Sequence, residues 1–432
     1  MLSLEKIRGD IESTREALLR RGEEPALDFL VELDATRRSL ITQRDILRAR
    51  NNELSRHFGQ LRGKGNEDGS VKRLEELRQE IQSVNSQIEK LETDSSSTEK
   101  QLQDLMLSLP NIPLETVPDG LDESNNIVIR QWGEPRAFKF DPIPHWELGK
   151  NSGSIDFERG TKLSGSRFYV LRNQGATLER ALVNWMLDQH TLKNGYMEIR
   201  PPVLVREEML VGSGNLPKFG DNLYRDIEED LWLIPTAEVP LTNLHRDEIL
   251  KGSDLPIYYV ASTPCFRREK TAAGRDTRGI KRVHQFDKVE MYKFVEPERS
   301  TDELEGLVEN AENLCRELGL PHRVLQLCAG ELGFPSAMTY DIEVWAPGSA
   351  EWLEVSSCST CTDFQARRAN IRYRLSPGDR PRFVHTLNGS GLALPRILIA
   401  IMENYQMEDG SIPVPEVLQP YTGFKKIDVA DS

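Results

Sequence analysis

The segment from Cys265 to Phe294, CFRREKTAAGRDTRGIKRVHQFDKVEMYKF, concentrates side chains that can act on a nucleotide. It reads as two extended runs joined by a polar connection rich in Gly, Thr and Arg. Side chains two apart on a strand point the same way. Arg267 and Glu269 therefore share a face, as do Phe286, Lys288 and Glu290. A guanidinium suits phosphate, a carboxylate can accept from an exocyclic amine, and an aromatic plane can stack on a base. Taken alone, an RxE pair favours an ordinary antiparallel hairpin with solvated charges.

A second segment, HTLNGSGLALPRILIAIMENYQ from His385 to Gln406, changes that balance. A short Gly/Ser turn is expected to lead into an apolar helix carrying Arg396. Ser390 fits an N-cap, and Gly389 and Gly391 fit a turn or a close backbone approach to a ligand. Pro395 lacks a donor and disfavours helix at the residue before it, so either Leu394 is extended or the helix begins near it. Together the two segments resemble motifs 2 and 3 of class II aminoacyl-tRNA synthetases, and more narrowly the seryl-tRNA synthetase family.

The resemblance extends over nearly the whole chain. Thr236-Ala237-Glu238 resembles the family's serine-binding element, and Glu354-Val355-Ser356-Ser357 its ATP- and metal-binding strand. The segment 178–204 resembles motif 1, a helix and strand ending at Pro202 that builds a dimer interface. Motif 2 then spans 265–294 and motif 3 spans 385–406. Two departures stand out: the loop Lys270-Thr271-Ala272-Ala273 differs from the commoner Ala-Gly-Ser-Ala type, and Pro395 replaces a frequent Gly.

The resemblance implies a serine–tRNA ligase that uses ATP and Mg2+ and charges tRNA(Ser), with tRNA(Sec) as a further substrate by family analogy. Arg267 and Arg396 are the implied catalytic arginines, on the α- and γ-phosphates respectively. Glu269 and Phe286 would hold adenine, with Arg268 and Val283 beside them. Glu354, Val355, Ser356 and Ser357 complete the ATP site, with Glu354 and Ser357 as magnesium ligands. Thr236, Ala237, Glu238, Glu290 and Ser390 would form the serine pocket. Cys265 and His284 are read as structural. The alternative is a ligase that loads an amino acid onto a carrier protein, or a non-canonical synthetase paralogue.

The N-terminal quarter supplies what such a carrier-protein ligase lacks. Leu33, Leu40, Leu47, Leu54 and Leu61 recur every seven residues. A turn signal follows at residues 63–69, and then Leu74, Leu77, Ile81, Val84, Ile88 and Leu91 alternate by three and four. Heptads on both sides of a short loop predict an antiparallel helical hairpin, weakened at Ser95 and Thr98. Alone, this could be only a dimerisation coiled coil. Yet residues 36–64 carry eight basic and two acidic side chains, a net of +6. Beside a serine-type core, the hairpin resembles a tRNA-binding arm, with Arg37, Arg38, Arg44, Arg48 and Arg56 as candidate contacts.

Composition agrees with this division. The 432 residues hold two domains of ordinary size, and 38% hydrophobic content supports a real core. A net charge of −14 announces no polyanion partner, so an RNA site must be a local patch. No run approaches the roughly 20 apolar residues of a membrane span. The acid-bearing N-terminus does not resemble a signal peptide, so a cytoplasmic protein with no membrane partner is expected. Five cysteines suggest no disulfide framework. Cys358 and Cys361 form a CxxC without further ligands at zinc spacing, so no zinc is expected. Short extended runs at 167–171, 196–199, 231–234, 257–260 and 340–345 alternate with helices. No Walker, Rossmann, HIGH or KMSKS signature is present.

The expected fold is therefore α+β. A class II synthetase core, an antiparallel β-sheet flanked by helices, occupies 113–432. An arm at 1–112 contains an antiparallel coiled-coil hairpin over about 27–109, and the whole is expected to be a homodimer.

Overall fold

The computed structural model describes residues 1–63, 70–270 and 278–430. Most of the expected turn at 63–69 and the loop residues Thr271, Ala272 and Ala273 lie outside the described residues. The chain divides into two compact units. One comprises residues 2–16 and 24–109; the other comprises Met1, residues 17–23 and residues 110–432.

The first unit is built on two long helices, α1 (Leu27–Arg62) and α2 (Ser70–Ser108). Cross-helix ion pairs join Arg37 to Glu99, Arg48 to Glu92 and Arg50 to Glu80, so the helices run antiparallel. The heptad positions meet as the spacing predicts. Leu54, Leu77, Val84 and Ile88 are buried against Leu47, Phe58, Leu61 and Ile81. Truncating one of the buried leucines costs about 2–5 kcal/mol. At the base of α1, Asp34 is fully buried and meets Arg8, Arg37 and Arg38. Burial alone would raise its pKa, but these three guanidinium groups hold it below the usual carboxylate value.

The second unit is organised around an eight-stranded sheet. Its strands in chain order are β1 (Ile127–Trp132), β2 (Met197–Glu198), β3 (Ile257–Phe266) and β4 (Gln285–Val295), then β5 (His322–Gln326), β6 (Met338–Ala346), β7 (Glu351–Thr362) and β8 (His385–Ala393). The spatial order is β1-β5-β6-β7-β8-β4-β3-β2. Every neighbouring pair is antiparallel except β2 with β3. The helices used below are α3 (Gln174–Asp188), α4 (Glu238–Asn243), α5 (Ser300–Glu317), α6 (Phe364–Ala369) and α7 (Leu394–Tyr405). On β4, Val289 and Met291 enter a core shared with Leu307 of α5, while Phe286, Lys288 and Glu290 alternate onto the cavity face. This is the period-two division expected of a half-buried strand.

One local expectation is corrected. The Gly/Ser segment before α7 is not a turn but the interior of β8, paired to β7 and β4 on its two sides. Both edges are occupied, so ladder hydrogen bonds override the low strand propensity of Gly and Ser. Its glycines serve packing: a Cβ on Gly389 would lie 2.8 Å from Cys358 Sγ, and one on Gly391 would lie 2.5 Å from His190 Nε2. Helix α7 begins at Leu394, with Pro395 in its first turn where the missing N–H goes unused.

Candidate active site

Strand register brings the separated motifs together. Ser390 of β8 lies opposite Glu290 of β4, Asp341 of β6 opposite Ser357 of β7, and Phe286 of β4 opposite Cys265 of β3. The result is a cavity of about 590 Å³, lined by residues from the motif 2 and motif 3 segments and from the Thr236 and Glu354 elements, with none from the motif 1 segment 178–204. Arg267 and Glu269 lie just beyond the end of β3, and Glu269 has φ +49°. The shared face predicted for them therefore arises from a turn, not from strand alternation.

Arg267 is fixed from two directions. Its Nε donates to the Pro235 carbonyl at 3.2 Å, and its guanidinium lies 5.1 Å from the Phe286 ring centroid. His284 secures the backbone: the Arg267 N–H donates to the His284 carbonyl at 2.9 Å, and His284 Nδ1 returns a 2.9 Å bond to the Arg267 carbonyl. Glu269 faces Arg282 at 3.8 Å. Arg396, also in the lining, donates to the Glu354 carbonyl at 2.7 Å and lies 3.2 Å from its carboxylate.

A second group of lining side chains is acidic and polar. Glu290 is 1% exposed and pairs with Lys288, and Thr236 Oγ1 donates to it at 3.3 Å. Glu238 accepts from Gln365 at 2.5 Å and from Asn388 at 3.0 Å. Enclosure by protein, with the Glu290 carboxylate second, pushes Glu238 up to a pKa of about 7 against partial relief from Lys288, Gln365 and Arg267. Asp341 is likewise raised well above the usual carboxylate range, by burial first and the Glu354 carboxylate next.

Most sequence-predicted site residues line this cavity: Thr236, Glu238, Arg267, Glu269, Val283, Phe286, Glu290, Glu354, Val355, Ser357, Ser390 and Arg396. Three do not. Ala237 is buried in a neighbouring apolar cluster, and Arg268 turns to the Tyr224 ring, 5.1 Å from its centroid. Ser356 points its hydroxyl at the Ser390 carbonyl at 2.5 Å. Lys288, Asp341, Asn388 and Gln365 are additions. Strand alternation with Phe286 and Glu290 marked Lys288, and alternation along the 340–345 run could have marked Asp341. Nothing in the local sequence marks Gln365. All five cysteines are buried free thiols.

In the helical unit the candidate RNA contacts are mostly engaged. Arg37 and Arg38 hold Asp34, Arg44 pairs with Asp45, and Arg48 pairs with Glu92. Arg56 makes no ion pair among the described residues. The Arg44 and Arg48 pairs are exposed and worth about 0–1 kcal/mol each, so phosphate can replace Asp45 and Glu92 at little cost, whereas Asp34 is buried and keeps Arg37 and Arg38.

Comparison with known proteins agrees with this architecture. Residues 1–113 match the seryl-tRNA synthetase N-terminal domain, and residues 221–405 match the class II tRNA synthetase core domain (G, H, P, S and T). The serine–tRNA ligase of Thermomicrobium roseum is 57% identical over 98% of this chain and 94% of its own length. That of a Roseiflexus species is 55% identical over 98% of both chains. Among solved structures, seryl-tRNA synthetase from Pyrococcus horikoshii complexed with ATP superposes with a TM-score of 0.91 at 39% identity, covering 100% of both chains. The cytoplasmic serine–tRNA ligase of Naegleria fowleri in complex with AMP gives 0.85 at 32% identity, over 99% of this chain and 97% of that one. The chain belongs to the serine–tRNA ligase family, with a class II synthetase core behind a seryl-type N-terminal domain.

Proposed function

We propose that this chain activates L-serine with ATP, releasing pyrophosphate, and transfers the serine from seryl-adenylate to the 3′ end of tRNA(Ser). One observation carries the reading. A single cavity holds an acidic, hydroxyl-bearing end made by Glu238, Glu290, Thr236 and Ser390, together with arginines suited to phosphate. An amino acid has an ammonium group for the first and a carboxylate that must reach the second.

The chemistry needs positioning and charge neutralisation more than a protein nucleophile. Arg267 orients the serine carboxylate against the α-phosphorus and balances charge that builds in the transition state. Phe286 stacks on adenine while Glu269 accepts from its exocyclic amine, and Val283 adds apolar contact. Arg396 leaves Glu354 for the γ-phosphate. Glu290 and Glu238 hold the serine ammonium and hydroxyl, with Thr236 and Ser390 closing a small pocket. A pocket that hydrogen-bonds a hydroxyl rejects alanine, because its own buried groups would go unpaired. Threonine is excluded by size.

The residues fit a magnesium ion. Asp341 Oδ1 is buried with no hydrogen-bond partner among the described residues, and Asp341, Glu354 and Ser357 offer hard oxygen donors in the cavity lining. Glu354 and Ser357, with Asp341 beside them, would hold it. A bound magnesium ion there would neutralise phosphate oxygens.

The helical hairpin is proposed to hold tRNA through Arg44, Arg48 and Arg56, by phosphate and shape more than by base sequence. By family likeness tRNA(Sec) is a second substrate, the enzyme a homodimer, and its site of action the cytoplasm. Charging assays with purified tRNA test the reading. Serine should be esterified to tRNA(Ser) in an ATP-dependent reaction; its absence with active tRNA would refute the reading.

A further inference from the structure

Gln365 sits in α6, fully buried, in the run that follows the Glu354–Ser357 element and without a role from the family resemblance. Its amide makes four hydrogen bonds, the full capacity of the group. Nε2 donates to the Ser213 carbonyl at 2.9 Å and to Glu238 Oε1 at 2.5 Å. Oε1 accepts from Tyr292 at 2.9 Å and from Thr386 at 2.7 Å. A backbone carbonyl can only accept, so Nε2 must face Ser213. The same nitrogen therefore faces Glu238, which excludes the flipped amide.

This has a consequence for Glu238. Its Oε1 receives two N–H donors, Gln365 Nε2 and Asn388 Nδ2, and so serves as an acceptor in either protonation state. Any proton on this carboxyl is displaced to Oε2, which has no hydrogen-bond partner among the described residues, while Glu238 itself lines the cavity. The charged or titratable groups facing Glu238 are Glu290, Lys288 and Arg267 from the cavity walls, with Tyr292 and Cys361 behind.

We propose that Gln365 is a positioning residue for amino-acid selection: it holds Glu238 so that Oε2 alone meets the substrate's ammonium or hydroxyl group. The proposal rests on the serine-activation reading above. Because the Gln365 donor favours the ionised form of Glu238, losing it raises the pH at which Glu238 becomes an effective acceptor.

The test is the pH dependence of the serine KM in pyrophosphate exchange, for the wild type and Gln365→Met. The wild-type serine KM should worsen as pH falls through about 7, the pKa of Glu238. In Gln365→Met the midpoint should move up by about one unit, raising the serine KM at pH 7 roughly fivefold, with the ATP KM within twofold. A role confined to stability would lower the melting temperature and leave the midpoint alone. If Gln365→Met does not fold, Thr386→Val, which removes one donor to Gln365 Oε1, should move the midpoint the same way by less. An unchanged midpoint and serine KM in whichever folded variant is measured overturns the proposal. If the wild type shows no serine-dependent exchange, the functional reading fails and this proposal with it. Serine exchange in the wild type with unchanged variants defeats this proposal alone.

Discussion

Arg396 and Glu354 neutralise each other across the cavity wall, the arginine bonded at 2.7 Å to the Glu354 main-chain carbonyl and 3.2 Å from its carboxylate. One is the proposed phosphate ligand and the other the proposed metal ligand. On that proposal, ATP and its cation would replace an existing pair and would not enter a site of unbalanced charge. Such replacement is cheap where the pair is partly exposed, as Glu354 is here.

Arg396→Ala should lower serine-dependent pyrophosphate exchange by about 10²-fold or more, the usual cost of one transition-state charge partner. Its melting temperature should stay within a few degrees of the wild type, since the lost pair contributes about 1 kcal/mol at most. Arg267→Ala should behave alike. Exchange near the wild-type rate in either variant would show that the phosphate contacts are misassigned.

The arm offers a separation of the two half-reactions. Replacing Arg44, Arg48 and Arg56 by Ala should leave serine-dependent exchange intact while tRNA charging falls and its salt dependence flattens. Arg37 and Arg38 are poor choices for this test because they also balance buried Asp34. A triple variant that charges tRNA normally at all salt concentrations would reduce the hairpin to a structural coiled coil.

His190 should make the core acid-sensitive. Burial, partly offset by a hydrogen bond that the imidazole donates to the Gly391 main chain, pulls its pKa down from 6.5 to about 4. The unfolded chain therefore binds a proton more readily than the folded one between those values. Its stabilising contribution is complete above about pH 6.5 and is lost as pH falls towards 4. The loss should reach about 2–3 kcal/mol by pH 4.5. Denaturant unfolding at pH 7 and 4.5 measures it, and His190→Gln should show a smaller difference than the wild type. Equal differences would place the acid sensitivity elsewhere.

Much of this site was legible because its chemistry lies in short runs. Phe286, Lys288 and Glu290 stand on one paired strand, where alternation alone predicts a common face, whereas Arg267 reaches the cavity from the turn just past β3. Gln365 was not legible because its four partners come from Ser213, Glu238, Tyr292 and Thr386, which only the folded sheet and helix α6 bring together. The Gly/Ser segment of β8 was misread as a turn because strand pairing on both edges outweighs local preference. The basic patch of α1 was real in composition. Yet Glu80, Glu92 and Glu99, which pair with its arginines, arrive from α2 through the hairpin's antiparallel register.

The central claim is serine activation in one cavity, and ATP–pyrophosphate exchange across the standard amino acids tests it most directly. Serine alone should support strong exchange, exceeding alanine by about 10⁴-fold because alanine leaves the hydroxyl partners unpaired. Threonine and glycine should be poor substrates. Comparable exchange with alanine, glycine or threonine, or stronger exchange with any other amino acid, would contradict the assignment of Thr236, Glu238, Glu290 and Ser390 as a serine pocket.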